Sequence, residues 1–165
     1  MLTDKQVAQY FRRCYTAVDG LWFMKVEEKH GLVAALEADE QVWKVLPKIQ
    51  ARMLKSALGV DQGIDALREC LTTRLTLEEF EFETQKTTDG FSVFIKRCPW
   101  HEQMVKSGRK HLSGTVGRRI CQTEYPVWAA EFGNIQFELQ QQICEGCGQC
   151  VLRFSQASEP PPPIT

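Results

Sequence analysis

The feature that most constrains this chain is a change in the period of its apolar residues, from three-to-four in the first half to two just before residue 80. A helix that buries one face needs apolar side chains every three or four positions, whereas a half-buried strand needs every second one. Val7, Tyr10, Phe11, Cys14, Val18 and Leu21 follow the helical rule, with Thr3 as N-cap and Gly31 as terminus. Gly20 interrupts this run and is expected to bend it. The same period resumes from Val33 to Gly59, where Pro47 predicts a kink or a break. A third, shorter helix is expected over Gly63 to Leu75, with Asp61 as its cap. Trp22, Phe23, Met24 and Trp43 fall at helical spacing and read as core.

Beyond this point Phe80 and Phe82 alternate with Glu79, Glu81 and Glu83, Thr87-Thr88-Asp89-Gly90 supplies a turn, and Phe91, Val93 and Ile95 alternate again. That pattern predicts a β-hairpin. Pro99 opens a helix ending near Gly108, a second helix covers about Thr115 to Phe132, and a second hairpin follows. Its strands carry Ile135, Phe137 and Leu139, then Val151 to Phe154, with Cys144 to Cys150 at the turn. The expected fold is α+β: N-terminal long helices packed with a C-terminal antiparallel sheet made of two hairpins flanking a helical pair. A chain of 165 residues suits one core, so 1–155 reads as a single domain, helical over 1–76 and strand-strand-helix-helix-strand-strand over 77–155. Residues 156–165, with four consecutive prolines, read as a disordered or polyproline tail.

Charge excludes several classes of partner. Twenty basic against 21 acidic side chains leave a net charge of −1, so nucleic acid is not an expected partner. The densest basic stretch, from Lys106 to Arg119, reads as an ordinary surface. No apolar run approaches the roughly 20 residues of a membrane span, and the first residues lack a basic and then apolar leader. A cytoplasmic protein is therefore expected, in which the seven cysteines are reduced thiols or metal ligands rather than a disulfide framework.

Cys144, Cys147 and Cys150 stand at C-x-x-C-x-x-C spacing with Gly146 and Gly148 between them. Glycines let such a loop turn tightly enough for three sulfurs to face one point. Cys98 precedes Pro99 at a strand end, and Cys121 shares a helical face with Glu124, Tyr125 and Trp128 at offsets of three, four and seven. If strand and helix pack together, all five thiols are candidate metal ligands. Four thiolates suit structural zinc, and three with His101 or a carboxylate and an open position suit a catalytic ion. An iron–sulfur cluster is a weaker alternative, because the fourth cysteine expected three residues after Cys150 is replaced by Phe154. The competing readings are a redox or nucleophilic thiol and plain packing, the latter favoured for Cys14 and Cys70.

Arg97-Cys98-Pro99-Trp100, Ile120-Cys121-Gln122-Thr123-Glu124-Tyr125, and the ending Cys144, Gly146 or Gly148, Cys150-Val151-Leu152-Arg153-Phe154 together resemble the C-terminal half of the L-2-amino-thiazoline-4-carboxylic acid hydrolase-like proteins. The last element is also similar to the ending of 4-vinyl reductase domains, which bind small ligands. The resemblance covers roughly Phe91 to Phe154. It implies an α+β fold with a ligand pocket beside the cysteines, and hydrolytic opening of a small cyclic thiazoline-type amino acid. Cys98, Cys121, Cys144 and Cys150 are the residues it carries over, with Glu124 as acidic partner. The additional Cys147, and Glu124 where the pattern has Asp, depart from the family and put metal preference and turnover in question.

Two classes of function follow. One is a metal- or thiol-dependent hydrolase in which Glu124 or His101 moves protons and Arg118 or Arg119 fixes a substrate carboxylate. The other is a non-catalytic ligand-binding or sensor domain with a structural zinc site, its pocket flanked by Trp22, Trp43, Trp100 and Trp128. Both take a small-molecule ligand and are compatible with a homodimer.

Overall fold

The helical period of the first half becomes four helices in the computed structural model, which describes residues 1–157: α1 (Asp4–His30), α2 (Leu32–Trp43), α3 (Leu46–Leu58) and α4 (Ile64–Leu77). Thr3 caps α1 through a capping box, its hydroxyl accepting from the Gln6 backbone while the Gln6 side chain accepts from the Thr3 N–H. α1 runs through Gly20 without interruption, because one glycine lowers helix propensity without removing a backbone hydrogen bond. Pro47 does separate α2 from α3, lying in the first turn of α3 where its missing N–H costs nothing. The cap of α4 is Gly63 at φ 95° rather than Asp61, a positive φ that suits glycine.

The period of two becomes β1 (Glu81–Lys86) and β2 (Gly90–Arg97), followed by α5 (Pro99–Lys106), α6 (Lys110–Ala130), β3 (Ile135–Gln141) and β4 (Cys150–Gln156). The expected α+β arrangement is present: N-terminal helices, and a four-stranded antiparallel sheet formed from two hairpins separated by helices. The hairpins join through β2 and β4, giving the order β1-β2-β4-β3. Gly90 sits where this junction is tightest, since a Cβ there would lie 2.0 Å from the Phe154 carbonyl oxygen. α6 begins five residues earlier than expected and continues past Pro126. The tail expected over 156–165 lies outside the described residues from 158 onward, and Gln156 still belongs to β4.

Alternation puts Phe91, Val93 and Ile95 of β2 opposite Phe154, Leu152 and Cys150 of β4 on the inner face. Phe137 and Leu139 of β3 extend these rows. α4 and α6 lie across them, burying Leu67, Leu71, Leu75, Tyr125 and Trp128. Phe91 and Phe137 flank Phe154 with ring centroids 5.0 and 5.2 Å away. α1 is different, for it packs chiefly along α2 and contains no buried residue. Trp22, expected in the core, is 69% exposed, because the side of α1 turned inward is the one that carries half-buried Phe23 and Met24. Among the described residues no helix is long and apolar enough to cross a membrane.

Candidate functional site

Because α1 and α2 stand off from the sheet, a cavity of about 400 Å³ remains between them, α5, α6 and the open end of the inner sheet face. Phe23, Met24, Trp43, Ile95, Ile120 and Leu139 make its walls mainly apolar. Trp43 and Trp100 meet edge to face at 5.6 Å. Of the other tryptophans expected here, Trp128 is buried in the core and Trp22 faces outward, and neither lines the cavity.

Four of the five cysteines singled out by their spacing reach this cavity. Cys98 follows β2 as the N-cap of α5, Cys121 projects from α6, Cys144 sits in a 3-10 turn over Ile143–Glu145, and Cys150 opens β4. Cys150 Sγ accepts a hydrogen bond from the Ile143 N–H at 3.3 Å, folding the loop back on the strand. Gly117 lets α6 approach that loop closely, since a Cβ there would fall 2.8 Å from Cys144 Sγ. Cys147 is exposed and outside the cavity. Burial pushes the Cys98 thiol up to about 12, helped by Cys150. It pushes Cys144 up to about 11, with Cys150 and Glu145 adding to it. Cys121 is raised well above its ordinary value by burial, by Glu124 and by the other three thiols. Burial raises Cys150 as well. Raised in this way, the four groups are neutral thiols at neutral pH, poor nucleophiles until something stabilises the thiolate. As the side chains stand, no three His, Cys, Asp or Glu among the described residues are placed to hold a metal ion.

Glu124 lines the cavity one helical turn from Cys121 and is 5% exposed. Arg74 Nη1 of α4 donates to its Oε1 at 2.5 Å, and Arg74 Nε donates to Glu78 Oε1 at 2.9 Å. Glu78 in turn accepts from the Trp100 indole at 3.2 Å. Burial pushes the Glu124 carboxyl up and the adjacent guanidinium pulls it back, leaving it above its ordinary range. His101 also lines the cavity, with Nδ1 2.7 Å from the buried Ser113 hydroxyl. Arg118 and Arg119, expected to fix a substrate carboxylate, pair instead with Glu145 and Glu40 and line no part of this cavity. On α6, Arg118 reaches out to the 143–145 loop and Arg119 to α2, so neither guanidinium enters the cavity.

Asp19 of α1 and Asp39 of α2 escaped notice in the sequence, yet both line the cavity. Neither has an ion-pair partner among the described residues. Burial raises Asp19 to about 6. Burial and the repulsion of Asp19 raise Asp39 to about 7, against a hydrogen bond from the Trp43 side chain. A signal was present in the spacing: Asp39 lies three residues after Leu36 and four before Trp43, and Asp19 four after Tyr15 and four before Phe23, each a carboxylate on an apolar stripe.

The model of DUF6125, a family of unknown function, matches residues 5–146, and the chain belongs to that family. The matched span contains Asp19, Asp39, Cys98, His101, Cys121, Glu124 and Cys144, and ends before Cys147 and Cys150. No curated protein and no solved structure matches the chain.

Proposed function

We propose that this DUF6125 protein binds a small molecule in the cavity between α1, α2, α5, α6 and the sheet, with the wall thiols available to a soft transition-metal ion, zinc foremost. The observation that carries this reading is a cavity of about 400 Å³ with four thiols gathered on one wall. That volume falls in the range of about 300–1,000 Å³ typical of ligand sites, as does a mainly apolar lining with a few convergent polar groups. The cluster for the ion is Cys98, Cys121, Cys144 and Cys150, without Cys147. Loading requires the sulfurs to swing inward from their present rotamers and to lose protons held up to about 11 and about 12 at Cys144 and Cys98. Metal affinity should therefore rise steeply with pH.

Two measurements test the reading. Elemental analysis of reduced, anaerobically purified protein should find close to one zinc per chain, lost from the Cys144→Ser, Cys150→Ser double variant while its circular dichroism is retained. Metal-free wild type that stays folded would remove the ion from the proposal. The neutral dye prodan should bind with a blue-shifted emission that Gly20→Leu abolishes. Gly20 lines the cavity inside α1 and a Cβ there meets nothing within 4 Å, so a leucine fills the space without straining the helix. Dye binding unaffected by that variant would locate the dye elsewhere and refute the cavity as the site.

A second reading adds turnover: hydrolysis of a cyclic thiazoline-type amino acid, with Glu124 and His101 as proton carriers. It is supported by their position on the same cavity wall system as the thiols. Incubation with L-2-aminothiazoline-4-carboxylate and mass spectrometry for the water adduct tests it, and absence of any enzyme-dependent adduct rejects it. The ligand-binding reading also accommodates a homodimer, for Val7, Tyr10, Phe11, Val18, Leu21 and Trp22 leave α1 with exposed apolar surface. Light scattering after size exclusion distinguishes that from a monomer.

A further inference from the structure

We infer that the cavity takes a ligand bearing a protonated amine, seated between the carboxylates of Asp19 and Asp39 and against the Trp43 and Trp100 rings. The inference rests on the small-molecule reading above and gives that ligand a chemical class.

The charged and titratable groups of the cavity, taken element by element, are Asp19 from α1, Asp39 from α2, His101 from α5, Arg109 before α6, Glu124 from α6, and the thiols. Arg109 is occupied by an ion pair with Glu27 of α1. Glu124 is occupied by Arg74, and His101 by Ser113. Asp19 and Asp39 alone among the carboxylates face the cavity without a cation. Two half-buried carboxylates that repel one another on neighbouring helices are a standing cost, which an ammonium between them would relieve. Trp43, whose side chain hydrogen-bonds Asp39, and Trp100 line the same cavity, and a ring quadrupole attracts a cation.

An independent observation points to a ligand with a polar far end. Tyr125 is 2% exposed and lines the cavity, yet its hydroxyl makes no hydrogen bond among the described residues. It lies near Glu124, Cys121 and Cys98, which all act on its ionisation. The hydroxyl oxygen is not sealed off from the cavity, so it stands open to a hydrogen bond with a ligand. The arrangement therefore describes an apolar, ring-sized body with an ammonium at the α1–α2 end and a hydrogen-bonding group toward the thiols. The raised carboxyls of Asp19 and Asp39 fit this picture, because an arriving ammonium would ionise them and expel protons.

Titration calorimetry on the full chain with three probes of one shape tests the inference: tryptamine, neutral 3-ethylindole and anionic indole-3-propionate. At about pH 8 tryptamine should bind at least about tenfold tighter than 3-ethylindole, and indole-3-propionate most weakly. Asp39→Asn and Asp19→Asn should each erase the preference while leaving 3-ethylindole binding intact, a result that simple unfolding would not produce. At about pH 6.5, tryptamine heats should vary with buffer ionisation enthalpy, reporting released protons, and should not in the double Asn variant. Equal affinity for tryptamine and 3-ethylindole, or preference for the propionate, would overturn the amine and leave the cavity reading standing. Binding of none of the three would overturn the amine too, and the prodan result then decides whether the cavity reading falls with it.

Discussion

Replacing Asp39 with asparagine should stabilise the ligand-free protein at about pH 8 and leave it nearly unchanged at about pH 4. Asp39 moves from its ordinary 3.8 to about 7 in the fold. At about 1.4 kcal/mol for each tenfold change in proton affinity, its charged form costs at most about 4 kcal/mol. Partial exposure of the side chain reduces that figure, and about 2 kcal/mol is the expected gain, a rise in melting temperature of about 4–8 °C for a chain of this size. Between pH 3.8 and about 7 the folded state holds a proton that the unfolded chain has lost. Wild-type stability therefore falls as pH rises through that window and the loss is complete above it. The amide carries no such charge, retains an acceptor for Trp43 and relieves Asp19. The assay is thermal unfolding by circular dichroism at about pH 4, 6 and 8, wild type beside variant. A stabilisation equal at all three values, or a destabilisation at pH 8, would refute the view that Asp39 is held charged against its environment.

Arg74→Met, which strands Glu124 and Glu78 without their shared cation, should lose about 3–5 kcal/mol in urea unfolding at neutral pH; a loss under 1 kcal/mol would mean that the buried pair is dispensable. Gly117→Ala should change stability by less than about 1 kcal/mol, because the helix-propensity gain opposes the crowding of Cys144, yet it should displace the Cys144 thiol and alter its labelling by a disulfide reagent. Unchanged Cys144 labelling would show that α6 and the loop can separate. Iodoacetamide mapped by mass spectrometry should modify exposed Cys147 well ahead of half-buried Cys98 and Cys121, whose thiols are held protonated. Uniform labelling of all three would contradict a closed thiol wall.

The sequence by itself determined the elements and their order. The switch from a period near 3.6 to 2 is a local property, set by which side chains one helix or strand face must bury, so the helices and both hairpins were legible without contacts. Thr3 and Pro47 marked boundaries for equally local reasons. The Cys121, Glu124, Tyr125 and Trp128 stripe was legible too, since helical offsets fix a shared face whatever that face meets. What lay beyond sequence was the distance between elements. Only β2–β4 pairing brings Cys98 and Cys150 to the same end of the sheet, and only the packing of α6 against the loop, permitted by Gly117, adds Cys121 and Cys144 and leaves Cys147 outside. Trp22 and Trp43 looked alike by spacing, and tertiary structure sent one to solvent and the other to the cavity. Asp19 and Asp39 looked like ordinary helix carboxylates until α1 and α2 were laid beside the sheet. Burial and unsatisfied charge are properties of surroundings, which periodicity along a single element does not carry.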